Sequence, residues 1–332
     1  MTNKQKTLFL DILNIQSYTY ETETMANFIV NTARVLGADV YVEDGNVYVT
    51  KGKATSYPCI ASHTDTVHRI LKDGYKVIHD TKIAMAYNEV ANKPTGIGGD
   101  DKVGIFIALD MLIRLESCKA VFFRDEETGC EGSMVADMDF FMDCRFVLQC
   151  DRKGNGDFVN NIMGQPLYGA EFSKAISPIL KKHKYKECSG GLTDVYQLCE
   201  NGVGVAVANM SCGYHNPHSD SEMINFADVE NCMSLVYDIM TSCKKVYKYE
   251  AEYTTKWWDS YDTKKTTYAP TKDDWDNSYS YEYKKPKYYQ DLEYKELIKL
   301  YDQCWDCRQF IEKGDMADFG LCKECSKTHS IY

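Results

Sequence analysis

The sequence predicts an α/β protein, a three-layer α/β/α sandwich on a mixed, mostly parallel sheet, with a small cysteine-bearing module at its C-terminal end. Three observations carry this expectation. Short continuous apolar runs such as YPCIAS, AVFFRD and RFVLQC read as strands covered on both faces. Helical patterns alternate with them up to about residue 245, the order that lays helices against a sheet. Beyond that point Tyr, Lys, Asp and Thr replace Leu, Ile and Val, and no helix or strand period survives.

Taken in order, helical patterns cover roughly 4–14 and 22–36. DVYVED, NVYVTK, YPCIAS, KVIH and IAMAY then read as strands. KVGIFIALDMLIRLESC is apolar nearly all round, as befits a buried helix. AVFFRD and RFVLQC are strands, FVNNIMG is sheet-like, FSKAISPILKKH is helical, and VGVAVANM is a further strand. FADVENCMSLVYDIM puts Phe226, Val229, Met233, Val236 and Met240 on one helix face, with Asn225 as its N-cap. The expected organisation is a domain over 1–245, a poorly ordered Tyr/Lys-rich linker over 246–290, and a terminal module over 291–332 that opens with a short helix, DLEYKELIKLYDQ.

A net charge of −11 on 332 residues argues against a general binder of nucleic acid or anionic membrane. No apolar run reaches the length of a membrane span, and MTNKQKTLFLDILNIQ has no signal-peptide core, so a cytoplasmic location is expected. The 14 cysteines are then expected to stay reduced, and those between Cys59 and Cys243 read as small buried hydrophobes.

In an α/β sheet, ligands bind at the carboxyl ends of the strands. YPCIAS ends in His63-Thr64-Asp65, and the turn TGIGGDDKVG carries Asp100 and Asp101 into the apolar helix. AVFFRD ends in Glu126-Glu127, RFVLQC in Asp151, and VGVAVANMSCGY in His215-Asn216-Pro217-His218. Each alone is ordinary, since a strand-end acid usually caps a helix or turn. Together they form the donor set of a pair of divalent metals. Glu127 is placed to bind metal while Glu126 faces the activated water, from which it takes a proton for a leaving amine. Asp65 is spaced to orient the His63 imidazole.

The motifs SHTDTV, GGDDKVG, DEETGCEGS, the CD at 150–151 and GYHNPHSDSE, read together, resemble the dinuclear zinc aminopeptidase and carboxypeptidase superfamily, and most closely its peptidase T-like tripeptidases, over residues 57 to about 240. The resemblance implies that His63 and Asp151 bind one metal, Glu127 and His218 the other, and Asp100 bridges them. Glu126 is then the general base. His218 rather than His215 is the implied ligand, because the family's ligand precedes a Glu by four residues, here Glu222. His215 then sits near substrate, and Tyr214 or His215 replaces the oxyanion donor that a lid would supply. The chain departs from the pattern here. Peptidase T-like enzymes carry a lid domain between the fourth and fifth ligands, whereas residues 152–217 read as ordinary sheet and helix, so the lid is expected to be missing. The implied cofactors are two divalent ions, zinc by resemblance, with cobalt or manganese also suited to mixed His/carboxylate donors.

Cys304, Cys307, Cys322 and Cys325 form C-x2-C-x14-C-x2-C, the spacing of a structural zinc site in a small zinc ribbon. The expected function is hydrolysis of an amide bond in short peptides, exopeptidase in type. An amidase acting on N-acyl amino acids shares the water chemistry. A catalytically silent module that binds a protein partner through the ribbon is the reading from another class. Nucleic-acid association would rest on the ribbon and the aromatic residues, against the net charge.

Overall fold

The computed structural model describes residues 1–249 and the backbone of Tyr301–Gln303 and Phe310–Glu312. In chain order the elements are α1 (Asn3–Asn14), α2 (Glu23–Val35), β1 (Asp39–Glu43), β2 (Asn46–Lys51), β3 (Tyr57–His63), β4 (Tyr75–His79), β5 (Ile83–Asn88), β6 (Lys93–Thr95), α3 (Gly99–Arg114), β7 (Cys118–Phe123), α4 (Glu131–Met134), β8 (Cys144–Arg152) and β9 (Asp157–Ile162). They continue with β10 (Gln165–Pro166), α5 (Ala170–His183), β11 (Lys186–Gly190), α6 (Asp194–Glu200), β12 (Val207–Ser211), β13 (Tyr214–His215), β14 (Met223–Asn225) and α7 (Phe226–Ser242).

The main sheet has nine strands among the described residues, in the order β1-β2-β7-β3-β8-β12-β9-β10, with β11 also paired to β9. Its centre is parallel, from β7 through β3 and β8 to β12, and antiparallel strands flank it. Every residue of β3 and β7 is buried, so helices cover both faces, as the unbroken apolar runs require. Helix α3 lies on β3, β7 and β8, and its Phe106 stacks on Phe9 of α1 with centroids 4.3 Å apart. Helix α7 begins at Asn225, whose side chain accepts from the Ala227 and Asp228 N–H groups. The described cysteines are free thiols, and all but Cys188 are buried.

One expectation needs correction. KVIH and IAMAY do not join the main sheet; they form β4 and β5 of a separate five-stranded sheet, β13-β14-β5-β4 with β6 on β5. The physical signal is the alternation of polar and apolar residues. β4 is half-exposed along its length, as suits a sheet buried on one face, unlike the fully buried β3. This small sheet joins the segment after His63 to the segment around His218. Residues 152–217 build β9 to β12 of the main sheet with α5 and α6, and then enter β13.

The chain divides into two compact units, Met1–Trp257 and Trp258–Tyr332. The first extends past 245: the Tyr247 N–H donates to the Arg145 carbonyl at 2.9 Å, and the Tyr247 carbonyl accepts from Ala206 at 2.7 Å. In the second unit, β15 (Tyr301–Gln303) pairs antiparallel with β16 (Phe310–Glu312), Gln303 facing Phe310. Of the helix expected over DLEYKELIKLYDQ, residues 291–300 lie outside the described residues, and the last three form β15, where pairing with a segment seven residues on overrides the local helical pattern. Cys304, Cys307, Cys322 and Cys325 and most of the linker lie outside the described residues. Among the described residues, no helix is long and apolar enough to cross a membrane.

Candidate metal centre and active site

The parallel strands β3, β7 and β8 end side by side and deliver His63, the Glu126–Thr128 3-10 turn and Asp151 to one edge of the sheet. The first turn of α3, non-helical at Asp100 and Asp101, brings Asp100, and the β13–β14 connection brings His218. The donor atoms fall into two groups, each within 4.8 Å: His63, Asp100 and Asp151, and Asp100, Glu127 and His218. Asp100 is common to both. Its Oδ1 lies 3.2 Å from His63 Nε2 and its Oδ2 3.3 Å from His218 Nε2. His63 Nε2 is 3.7 Å from Asp151 Oδ1, and His218 Nε2 is 3.1 Å from Glu127.

Asp65, fully buried, organises the strand ends. Its Oδ1 lies 3.2 Å from His63 Nδ1 and accepts from the Glu126 N–H at 2.9 Å. Its Oδ2 accepts from Thr19 Oγ1 at 2.8 Å and from the Glu127 N–H at 3.3 Å. One carboxylate thus orients the imidazole, leaving its Nε2 lone pair for a cation, and pins the turn that carries both glutamates. The third acid of that triplet, Asp125, faces elsewhere: it accepts from Arg124 at 2.6 Å and from the Tyr20 N–H at 2.8 Å.

The Asp100 loop is fixed by Glu222, which is fully buried. Its carboxylate accepts from the N–H groups of Gly98 at 2.7 Å and Asp100 at 3.1 Å, and from His68 Nε2 at 2.9 Å. Gly98 adopts the left-handed region at φ +68, and a Cβ on Gly99 would sit 2.7 Å from Tyr214 Cβ, so both positions need glycine. Asp101 clamps the start of α3 to β3, accepting from the His63 N–H at 3.2 Å and from Ser62 Oγ. Asp151 accepts from Thr193 Oγ1 at 2.9 Å and from the Tyr214 hydroxyl at 3.2 Å. His215 turns its Nε2 to Asp228, 3.1 Å away.

Electrostatically the cluster demands positive charge. Burial pushes the Glu126 and Glu127 carboxyls above the usual range, and burial with the nearby Asp100 pushes Asp151 up to about 6. Burial works against charge on His63, yet hydrogen bonds to Asp100, Asp151 and Asp65 outweigh it and hold the imidazole well above its ordinary value. Hydrogen bonds to Asp100 and Glu127 push His218 up to about 10. Protons on the histidines thus stand where divalent cations would offset the same acids, and the donor set of imidazole and carboxylate fits such ions.

The residues expected from the sequence converge: His63, Asp65, Asp100, Glu126, Glu127, Asp151, Tyr214 and His218 share hydrogen bonds or donor groups at one edge. Two contributors, Asp194 and Cys130, escaped the sequence, and a third, Glu222, was named without its role. Asp194 is buried at the start of α6, accepts from Ser133 Oγ at 2.7 Å and Gln149 Nε2 at 3.1 Å, and is pushed up to about 7 by burial. Cys130 places its thiol 3.5 Å from Glu126 Oε1. Glu222 stood out only for its spacing from His218. Thr-Asp before an amphipathic helix looks like any helix start, so Asp194 carried no distinguishing signal.

The family model for M42 glutamyl aminopeptidase matches residues 62–235. The fold is shared with solved aminopeptidases at low identity. Aminopeptidase PepT from Bacillus cereus superposes with a TM-score of 0.62 at 13% identity, over 73% of this chain and 99% of that one. A tripeptidase from Staphylococcus aureus gives 0.58 at 15%, over 71% and 96%. An aminopeptidase from the archaeon Desulfurococcus kamchatkensis gives 0.57 at 14%, over 73% and 95%. No curated protein sequence matches the chain.

Proposed function

The chain belongs to the M42 glutamyl aminopeptidase family, and from that premise we propose that it is a metal-dependent aminopeptidase that removes an N-terminal residue from short peptides, with Glu126 as general base. The observation that carries this reading is the pair of donor groups joined through Asp100. His63 and Asp151 would hold one divalent ion, Glu127 and His218 the other, and Asp100 both. Such a pair would supply a water whose pKa is lowered towards about 7 and would polarise the scissile carbonyl.

The remaining chemistry belongs to the chain. Glu126 takes the proton of the attacking water and returns it to the leaving amine. Its raised carboxyl, pushed up by burial, suits a group that accepts and then releases a proton. Asp65 holds His63 in its ligating orientation and keeps the Glu126 turn in place. Tyr214 steadies Asp151 through its hydroxyl and, with His215, is proposed to face the substrate. Residues 152–217 would serve without a lid domain, leaving the site open to small peptides.

We assign the first domain, with the metal pair, to residues 1–245 and its short extension, and a structural zinc ribbon to Cys304, Cys307, Cys322 and Cys325. The proposed location is the cytoplasm.

The test pairs metal analysis of wild type and Glu126→Gln with hydrolysis of a di- and tripeptide panel. Expected are about three metal ions per chain in both and peptide cleavage in wild type, with turnover lower by about 10²–10⁴-fold in the variant. Replacing Cys304 and Cys307 by Ser should remove one ion and leave cleavage intact. Full turnover in Glu126→Gln would end the assignment of the base, and a single ion lost with those cysteines would end that of the metal pair.

A further inference from the structure

We infer that Cys130 is a positioning residue for Glu126: its thiol holds one carboxylate oxygen so that the other faces the reacting water. The inference rests on the assignment of Glu126 as base. Cys130 is 7% exposed, and its Sγ lies 3.5 Å from Glu126 Oε1. Among the described residues, this is the hydrogen bond that reaches the Glu126 carboxylate, and none reaches Oε2.

The backbone is arranged around this contact. Cys130 adopts φ +61, a region where residues other than glycine are uncommon, directly after Gly129 at φ +110. The N–H groups of Gly129 and Cys130 both donate to the Glu126 carbonyl, each at 2.9 Å, so the turn folds back and returns the thiol to the carboxylate that opened it. Ser133 Oγ lies within hydrogen-bond reach of both the Cys130 carbonyl, at 3.2 Å, and Asp194 Oδ1, at 2.7 Å, which ties the cysteine to α6.

The chemistry fits a donor rather than a nucleophile. Burial, with Asp194 and Glu126 nearby, raises the thiol so far that it keeps its proton, so S–H is a constant donor towards an acceptor oxygen. The final torsion of a glutamate is broad and two-fold, and a buried carboxylate with one anchored oxygen loses that freedom. Asp65 fixes where the Glu126 backbone lies, and Cys130 fixes how the carboxylate is turned.

The experiment compares kcat, KM and metal content in the full-length, metal-loaded protein for Cys130→Ala, Cys130→Gly and Cys130→Ser, beside Glu126→Gln. Alanine and glycine remove the donor and are small enough for the left-handed backbone; serine restores a donor in nearly the same place. Expected is a fall in kcat of about 3- to 10-fold for Ala and Gly, with KM and metal content unchanged and with Ser recovering most of the loss. Because glycine relieves any backbone strain at this position, a shared loss in Ala and Gly reads the donor and not the fold. Wild-type kcat in Ala and Gly with Glu126→Gln inactive would overturn the role of Cys130 while leaving the base in place. Ser as impaired as Ala would overturn it too. Turnover retained by Glu126→Gln would remove the base itself, and this inference with it.

Discussion

Replacing Glu222 should unseat Asp100 and destabilise the fold by an amount the structure sets. The fully buried carboxylate accepts from Gly98 N, Asp100 N and His68 Nε2 at 2.7, 3.1 and 2.9 Å. Hydrogen bonds to a charged group contribute about 1.5–3 kcal/mol each. The three share one acceptor group and do not add in full, so about 3–5 kcal/mol, less than their sum, is the better guide for Glu222→Ala. At roughly 2–4 °C per kcal/mol for a domain of this size, the midpoint should fall by about 6–20 °C. Glu222→Gln keeps one carbonyl oxygen for a backbone donor and should cost about 1–2 kcal/mol. Thermal unfolding with chelator present separates this from metal binding, and metal titration afterwards should show weaker binding in Glu222→Ala than in Glu222→Gln. An alanine variant melting within about 2 °C of wild type would refute the reasoning.

Other outcomes follow from the same geometry. Gly99→Ala would place a Cβ 2.7 Å from Tyr214 Cβ, so it should lower stability by about 1–3 kcal/mol and reduce metal content, both read from one purified sample. Asp65→Asn removes the negative charge that orients His63 and should weaken metal binding by about 10- to 100-fold, measured by competition with a chromophoric chelator. Asp194 is raised from its ordinary value to about 7 in the fold, so below pH 4 it stabilises in full, and that contribution is lost as pH rises to about 7. In metal-free protein, Asp194→Asn should therefore lose part of the decline in urea stability between pH 4.5 and 7.5; an identical slope in both would count against it.

Local pattern and spacing made much of this protein legible. The buried runs of β3, β7 and β8 announced strands covered on both faces, and the acids and histidines at their ends announced the candidate donor groups that gather at one edge. Asn225 was readable as a cap because a cap acts within three residues. What stayed hidden depends on contacts between distant segments. The assignment of β4 and β5 to their own sheet is settled by pairing with β14, more than 130 residues away. Glu222 reaches back 124 residues to Gly98, and Asp194 reaches 61 residues to Ser133; neither spacing leaves a trace in a single sequence. The strand at Tyr301–Gln303 was masked by a helical pattern that its partner overrides.

The two donor groups sit on parts of the fold that differ in how readily they open. His63 and Asp151 end strands of the main sheet, and their side chains are 0% and 9% exposed. His218 rides on the hairpin of the small sheet with its side chain 51% exposed. Regions with fewer buried contacts open at lower free energy, without unfolding of the rest. With ions in both places, the hairpin would release its ion by a local motion, while the ion at the strand ends would wait for a larger opening. A chelator would then draw the two out in separate kinetic phases, and a protein caught between them would keep an ordered main sheet with a half-filled site.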